Sequence, residues 1–336
     1  MNKYSAGIVG FRGYSGMELV RLLSAHPRIR PVLLEHRSDS EDRPLPRNHK
    51  GPARIPCTAD AVRQEKLDLV LLATPADVSM DLAPRMIAAG TRVVDLSGAF
   101  RLRTPAEHER WYKEPHTASG LLEEAVYGLP EFYRDRIPAA RLVANPGCYP
   151  TAANLAVRPL VRSGRLDMAA GVVCDAKSGV SGAGRKPSLK TSFCEVTGNF
   201  SCYSILDHRH VPEVLINSGV AEEAFTFTAH LIPVHRGILE TIYFRMPGLD
   251  SAAAVLSLYE RDYAAEPFVR LYDPGRVPDL ASVNGTNFCD IGVRYDPATG
   301  RGVVVSVIDN LVKGAAGQAV QNANLLLGLP ETEGLL

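Results

Sequence analysis

The chain has no net charge: among its 336 residues, 37 Lys and Arg balance 37 Asp and Glu. Without a surplus of one sign, no long-range field draws it to nucleic acid or an anionic membrane, and a small-molecule partner is favoured. Its six cysteines (Cys57, Cys148, Cys174, Cys194, Cys202, Cys289) contain no CxxC pair and lack the density of a disulfide-stapled secreted domain. Reduced thiols, a cytoplasmic location and no bound metal are the expectation. No apolar run approaches the roughly 18 residues of a membrane span. The start, "MNKYSAGIVG", lacks the charged and apolar regions of a secretory signal. Repeats and low-complexity tracts are missing as well, and "HRSDSEDRPLPRNHKG" (residues 36–51) reads as a long surface loop.

What is present is apolar material, 46% of the chain, enough to bury one large core or two medium ones. "AGIVG" followed by "YSGMELVRLLSAHP" reads as strand, glycine turn and helix, with Met17, Leu19, Val20, Leu22 and Leu23 on the apolar face. "RPVLLEH", "LDLVLLATP" and "RVVDLSG" are further apolar strands, and the helical "DVSMDLAPRMIAAG" separates the last two. Strands that alternate with helices and are apolar throughout predict a parallel sheet covered on both faces, an α/β Rossmann-type nucleotide-binding domain. After "ARLVANPGC" the pattern changes: "FTFTAHLIPV", "GILETIYFRM", "FCDIGVRY" and "RGVVVSVID" are longer and more alternating. These predict an α+β domain with a mainly antiparallel sheet. The expected division is 1–147 with 310–336 for the nucleotide-binding domain and 148–309 for a catalytic and oligomerisation domain, the C-terminal helix packing back on the first.

Three stretches carry the candidate chemistry. In "GIVGFRGYSG", glycines at Gly7, Gly10, Gly13 and Gly16 lie between the first strand and helix, where backbone can approach a pyrophosphate at a helix N-terminus. The spacing departs from the strict dinucleotide fingerprint. About 20 residues further on, Glu35 stands where an acid holds a ribose hydroxyl, yet Arg37 and Ser38 follow at once and suit a 2′-phosphate. In "NPGCYPT", a fixed turn leads Cys148 to the start of a helical segment, where the helix dipole favours a thiolate nucleophile. In "DHRHVPEV", Pro212 suits a first helical position, so His208 and His210 are expected in an extended lead-in with both rings on one side. Two further stretches look suited to anions: the glycine-rich "SGVSGAGRK", with free backbone donors, and "DLSGAFRL", whose Ser97 and Arg101 follow a strand end.

Taken together, "GIVGFRGYSGMEL", "VVDLSGAFRL", "YGLPEF", "NPGCYPTAA", "KSGVSGAGRK", "SFCEV", "HRHVPE", "HLIPVHRGI" and "DNLVKGAAGQAVQNAN" resemble, in order and over nearly the whole chain, the N-acetyl-γ-glutamyl-phosphate reductases of arginine biosynthesis. The resemblance implies reduction of an acyl phosphate by NADPH, with Cys148 forming a thioester. It makes His208 and His210 the acid/base candidates, His210 favoured, and places Glu195 of "SFCEV" near the pocket. It assigns Gly10, Gly13, Tyr14, Ser15 and Gly16 to the pyrophosphate, and Ser178, Gly179 and Asn310 to the nicotinamide end. Ser97, Arg101 and Asn145 are the candidates for substrate or phosphate, and a homodimer or homotetramer is implied. "FRG" before "YSG" departs from the small-residue turn usual in the family. The alternatives are an aminoadipyl-phosphate reductase of lysine biosynthesis, an aspartate-semialdehyde dehydrogenase, or a nucleotide-sensing regulator without chemistry. One methylene changes binding by only about 1–3 kcal/mol, so the residues alone hardly separate the chain lengths.

Overall fold

The computed structural model describes residues 4–36 and 51–336, which form two compact units: residues up to 146 with 315–336, and residues 147–314. The boundary at 146/147 is one residue from the expected one, and the return to the first unit comes at 315 rather than 310. Arg37, Ser38 and all but the ends of the expected loop lie outside the described residues.

The first unit contains, in chain order, β1 (Tyr4–Val9), α1 (Tyr14–Ala25), β2 (Ile29–Glu35), β3 (Ala53–Pro56), α2 (Ala59–Glu65), β4 (Leu69–Leu72), α3 (Ala76–Ala88), β5 (Arg92–Asp95), α4 (Pro105–Tyr112), β6 (Val126–Tyr127), α5 (Pro130–Tyr133) and β7 (Leu142–Ala144). The sheet order is β3-β2-β1-β4-β5-β7-β6, and every pairing is parallel. β4 is buried at all four positions, as a strand covered on both faces must be. The chain leaves β1 for β2 on one side and later returns to β4 on the other. The turn after β1 therefore sits at a switch point, the place where open α/β sheets bind ligands.

The second unit contains α6 (Cys148–Arg162), β8 (Val172–Gly179), α7 (Phe193–Val196), β9 (Ser201–Tyr203), α8 (Val211–Ser218), β10 (Phe225–Ile232), β11 (Ile238–Arg245), α9 (Ala252–Tyr263), β12 (Val269–Leu271), β13 (Cys289–Asp296) and β14 (Arg301–Ile308). Its seven strands run β12-β13-β14-β11-β8-β10-β9, mostly antiparallel, with parallel pairs β8–β10 and β12–β13. Burial alternates along β11, so one face carries the core and the other is more open. α6 lies on the core face, with Tyr149 and residues through Val157 buried. It is pinned from two sides: Ser306 Oγ donates to the Ala152 carbonyl at 3.1 Å, and the Tyr259 and Tyr263 hydroxyls donate to Ala156 at 2.6 Å and Leu155 at 2.8 Å. That fixes the helix whose first residue is Cys148. The last helix, α10 (Gly317–Leu326), belongs to the first unit, where Asn324 Oδ1 bonds His26 at 3.1 Å at the end of α1.

Candidate active site

Cys148 is the first residue of α6, a 15-residue helix whose N-cap, Gly147, supplies no side-chain cap. An anion at this position meets the positive end of the helix dipole, which favours thiolate over thiol. The chain packs tightly over the thiol's backbone. A Cβ on Gly314 would come within 2.9 Å of Cys148 Cβ, so only glycine allows this approach.

His208 and His210 are brought together, by a different backbone from the one expected. The segment is a tight turn, not an extended lead-in: His210 N donates to His208 Nδ1 at 3.2 Å, Val211 N donates to the His208 carbonyl at 2.9 Å, and His210 is the N-cap of α8 in helical conformation. A ring that captures the backbone two residues on closes a turn instead of leaving the chain extended. The rings still meet, with centroids 4.9 Å apart.

The surroundings give the two histidines different roles. His208 is boxed by Tyr149, Tyr203 and Phe227, ring centroids 5.4, 5.6 and 5.2 Å away. Burial first, and Arg209 second, push its pKa down to about 4. His208 is therefore neutral at neutral pH, and its Nδ1 is the acceptor that shapes the turn. A histidine that protonates more readily unfolded than folded withdraws stability as pH falls from about 6.5 towards about 4. Between pH 7 and pH 5 this costs about 2 kcal/mol of folding free energy. Urea denaturation at the two pH values, compared with His208→Gln, is expected to show a flatter pH dependence in the variant.

Tyr149 and Tyr203 share a hydroxyl contact of 3.1 Å beside these rings, and Tyr149 also donates to the His230 carbonyl at 3.2 Å. Burial above all raises both phenol pKa values, so the two remain neutral hydroxyls next to Cys148.

Sequence reasoning missed Glu213. It is fully buried on the first turn of α8, and its Oε2 accepts from Gly147 N at 3.0 Å. Asn154 and Asn217 donate to its backbone carbonyl at 3.4 and 2.7 Å. One carboxylate thus ties the residue preceding the thiol to the helix that follows the histidines. An acid three residues after His210, in a first helical turn, was a visible capping signal, but its target on α6 was not. Glu213→Ala leaves a buried N–H without its acceptor and is expected to cost about 1–3 kcal/mol of stability together with part of kcat. Glu213→Gln, which keeps an acceptor, should restore most of the stability; chemical denaturation and steady-state rates of the pair check this.

Glu195, expected near the pocket, is exposed on the four-residue α7, and among the described residues its side chain bonds neither histidine. A single exposed helical turn has no packing to aim a carboxylate inward. The "SGVSGAG" loop also differs from expectation. Gly179, Val180 and Ser181 donate their N–H groups to the carbonyls of Gly237, Val234 and His235 at 2.9, 2.9 and 3.1 Å, so these donors are not free for an anion. Asn310 is the tie at its centre. Its Oδ1 accepts from Gly237 N at 2.7 Å and its Nδ2 donates to Ser181 Oγ at 3.0 Å, while Gly182 packs on Ser178. Ser178, Gly179 and Asn310 are therefore brought together as a braced corner.

In the first unit the glycine turn has the form of a phosphate cradle. Gly10 has φ +75° with the Ala73 carbonyl where a Cβ would lie, and a Cβ on Gly16 would collide with the Gly10 carbonyl. Gly13 is the N-cap of α1 without a side-chain cap, so the N-terminal donors of α1, beginning at Tyr14 and Ser15, meet no capping side chain. Open backbone and a bare helix N-terminus at a switch point fit a dinucleotide's pyrophosphate. Ser97, Arg101 and Asn145, the candidates for substrate or phosphate, make bonds within the first unit. Ser97 Oγ donates to buried Asp95 at 2.7 Å. Desolvation raises the Asp95 pKa. Arg101 donates to the carbonyls of Asn145 at 2.8 Å and Leu96 at 2.7 Å. Asn145, fully buried, donates to the Ala315 carbonyl at 3.2 Å and accepts from Asn322 Nδ2 at 3.0 Å. These bonds brace the chain two residues before Gly147.

Comparison with known proteins agrees with this architecture. The model "Semialdehyde dehydrogenase, NAD binding domain" matches residues 5–140, and "Semialdehyde dehydrogenase, dimerisation domain" matches residues 148–310. Fold and site thus define an oxidoreductase of the semialdehyde dehydrogenase class. The N-acetyl-gamma-glutamyl-phosphate reductase of Symbiobacterium thermophilum is 48% identical over 337 residues, covering 98% of this chain and 97% of the relative. That of Geobacter metallireducens is 45% identical over 342 residues with the same coverage. The chain belongs to the N-acetyl-gamma-glutamyl-phosphate reductase family. Among solved structures, aspartate semialdehyde dehydrogenase II from Vibrio cholerae, complexed with ASA, has a TM-score of 0.72 at 18% identity, covering 98% of this chain and 99% of that one. The Candida albicans aspartate semialdehyde dehydrogenase with NADP has a TM-score of 0.70 at 18% identity, covering 96% and 98%. These two likenesses concern the fold.

Proposed function

We propose that the chain reduces N-acetyl-L-glutamate 5-phosphate to N-acetyl-L-glutamate 5-semialdehyde and phosphate, in arginine biosynthesis, with NADPH as reductant. The observation that carries this reading is a thiol at the head of an uncapped helix, anchored through Glu213, beside a turn that holds two histidines. Cys148 attacks the acyl carbon as thiolate, the C–O bond to phosphate breaks, and a thioester forms. The glycine turn holds the cofactor's pyrophosphate, and a bound nicotinamide supplies the hydride. His210 takes the thiol proton at the start and gives it to the carbonyl oxygen of the reduced adduct. It recovers that proton as the C–S bond breaks and the aldehyde leaves, which returns Cys148 to thiolate. His208, neutral and boxed by aromatic rings, positions His210 by accepting from its backbone N–H.

Relatives at 43–48% identity over nearly the full length favour the acetylglutamyl substrate over the aminoadipyl and aspartyl alternatives. Phosphate-dependent oxidation of the three semialdehydes tests the choice. Turnover of N-acetylglutamate semialdehyde is the expected result; activity confined to the longer or the unacetylated substrate overturns it.

The second unit is also the basis for a homo-oligomer, a dimer or tetramer, since the family model for this region is described as a dimerisation domain. Val173 and Tyr243, both more than a third exposed on the open face of its sheet, are the apolar residues such an interface would cover. None of the six cysteines is in a disulfide, and no helix among the described residues is long and apolar enough to cross a membrane. Six cysteines without a disulfide favour a reducing, cytoplasmic setting.

A further inference from the structure

Arg209 stands between the two histidines of the site and takes no part in moving the proton. His208 and His210 are buried and Arg209 is exposed, so the turn puts one cation at the rim of the ring cluster. The bond that closes the turn, His210 N to His208 Nδ1 at 3.2 Å, spans Arg209 itself and fixes where its side chain starts. The lead-in is constrained as well. Ser204 and Leu206 have φ +46° and +66°, left-handed backbone that residues with a Cβ rarely take, and such strain gathers where a fold must aim a residue.

This charge is not met by a carboxylate. In the same unit, Lys177 stands 2.8 Å from Asp175 and Arg236 stands 3.3 Å from Asp309. Arg209 has no ion pair and no hydrogen-bond acceptor among the described residues, Asp207 two positions away included. Its charge acts on the ring cluster instead. After burial it is the second cause that depresses the His208 pKa, and it works against the burial that raises the Tyr203 pKa. The His208 ring lies 5.6 Å from that of Tyr203 and 5.4 Å from that of Tyr149, the residue after the thiol. The guanidinium thus borders the same rings that border Cys148.

A substrate for this site is anionic at both ends. Its phosphate leaves from the acyl carbon at Cys148, where the uncapped N-terminus of α6 already favours an anion. Its α-carboxylate lies further along the chain and needs a cation away from the thiol. We propose that Arg209 is a specificity-determining residue that binds the substrate's α-carboxylate, its planar guanidinium meeting the two oxygens side by side. The "HRH" triplet then divides its work: the buried rings serve the proton, and the exposed fork between them holds the far end of the substrate. This rests on the reading of Cys148 and the histidines as the site of an acyl-phosphate reductase.

Phosphate-dependent oxidation of N-acetylglutamate semialdehyde by the full chain, beside that of 4-acetamidobutanal, the same aldehyde without its carboxylate, tests it. The wild type is expected to prefer the aldehyde that carries the carboxylate. In Arg209→Gln this preference, read as the ratio of the two kcat/KM values, is expected to fall by about ten- to a hundredfold, the loss of a charged hydrogen bond, chiefly through the KM of N-acetylglutamate semialdehyde. Arg209→Lys, which keeps the charge without the fork, should retain part of the preference. A role confined to the charge on His208, or to the shape of the turn, would weaken both aldehydes equally, so an unchanged ratio overturns the proposal. A rise confined to the KM for phosphate also overturns it, since that would put Arg209 at the leaving group. A wild type that oxidises only the longer or the unacetylated semialdehyde would overturn the acetylglutamyl reading by itself. Both of those aldehydes keep the α-carboxylate, so Arg209→Gln should still raise the KM of the one turned over, and an unchanged KM there overturns the anchor.

Discussion

Cys148→Ser is expected to lower turnover by at least about 10³-fold while NADP+ affinity stays within about threefold of wild type. The hydroxyl is nearly the same size as the thiol, so the packing of Gly314 over this position survives the change. What is lost is chemical. A helix N-terminus stabilises a thiolate, whose ordinary pKa lies near 8.5, but it does not bring a serine hydroxyl into a range where the anion is populated. An alkoxide is also a poor leaving group in the collapse that releases the aldehyde. The glycine turn proposed to hold the pyrophosphate belongs to the first unit, which is why binding should be spared. Stopped-flow turnover and cofactor titration on one preparation separate the two effects; substantial residual activity would remove the thioester from the mechanism.

His210→Asn is expected to lower kcat by about 10²–10⁴-fold, the usual contribution of a positioned acid/base, with a smaller change in KM. His208 does not fill this role. Its depressed pKa and its role as acceptor from the His210 N–H make it a poor proton carrier at neutral pH, so the carrier's role falls to His210. Asn at 210 keeps the N–H that closes the turn, and the His208 ring should therefore stay in its aromatic box. The pH profile supplies the readout that a structural role would not move: the limb of kcat/KM that reports the acid/base should vanish in His210→Asn. In His208→Gln it should persist with reduced amplitude. Retention of the full profile in His210→Asn would return the role to another group.

These outcomes also measure how far residue patterns carry the reading. The β1–α1 turn was legible because its glycines answer to local geometry, a positive φ at Gly10 and a close carbonyl at Gly16. Cys148 was legible for a similar reason, since a Pro-Gly turn before a helical run places its first residue without help from the rest of the fold. The short strands β3, β6, β9 and β12 were not, because two to four residues are too few for a period and their pairing comes from neighbours. The Glu213 bond to Gly147 spans 66 residues, and no local pattern encodes the meeting of two helices. Glycine richness in "SGVSGAG" suggested open donors, whereas the adjacent Val234 to Gly237 carbonyls take them. The histidine pair was found for its chemistry, but with the wrong backbone, since a ring nitrogen serving as a turn acceptor is invisible in a string of residue types.

Whether Cys148 carries the acyl group is read with the reductant left out. The protein is mixed with N-acetylglutamyl 5-phosphate without NADPH, quenched in acid, and the peptide bearing Cys148 is analysed by mass spectrometry while released phosphate is counted. An N-acetylglutamyl thioester on Cys148 and a burst of one phosphate per active chain are expected. An unmodified Cys148, with phosphate appearing only after NADPH is added, would contradict it.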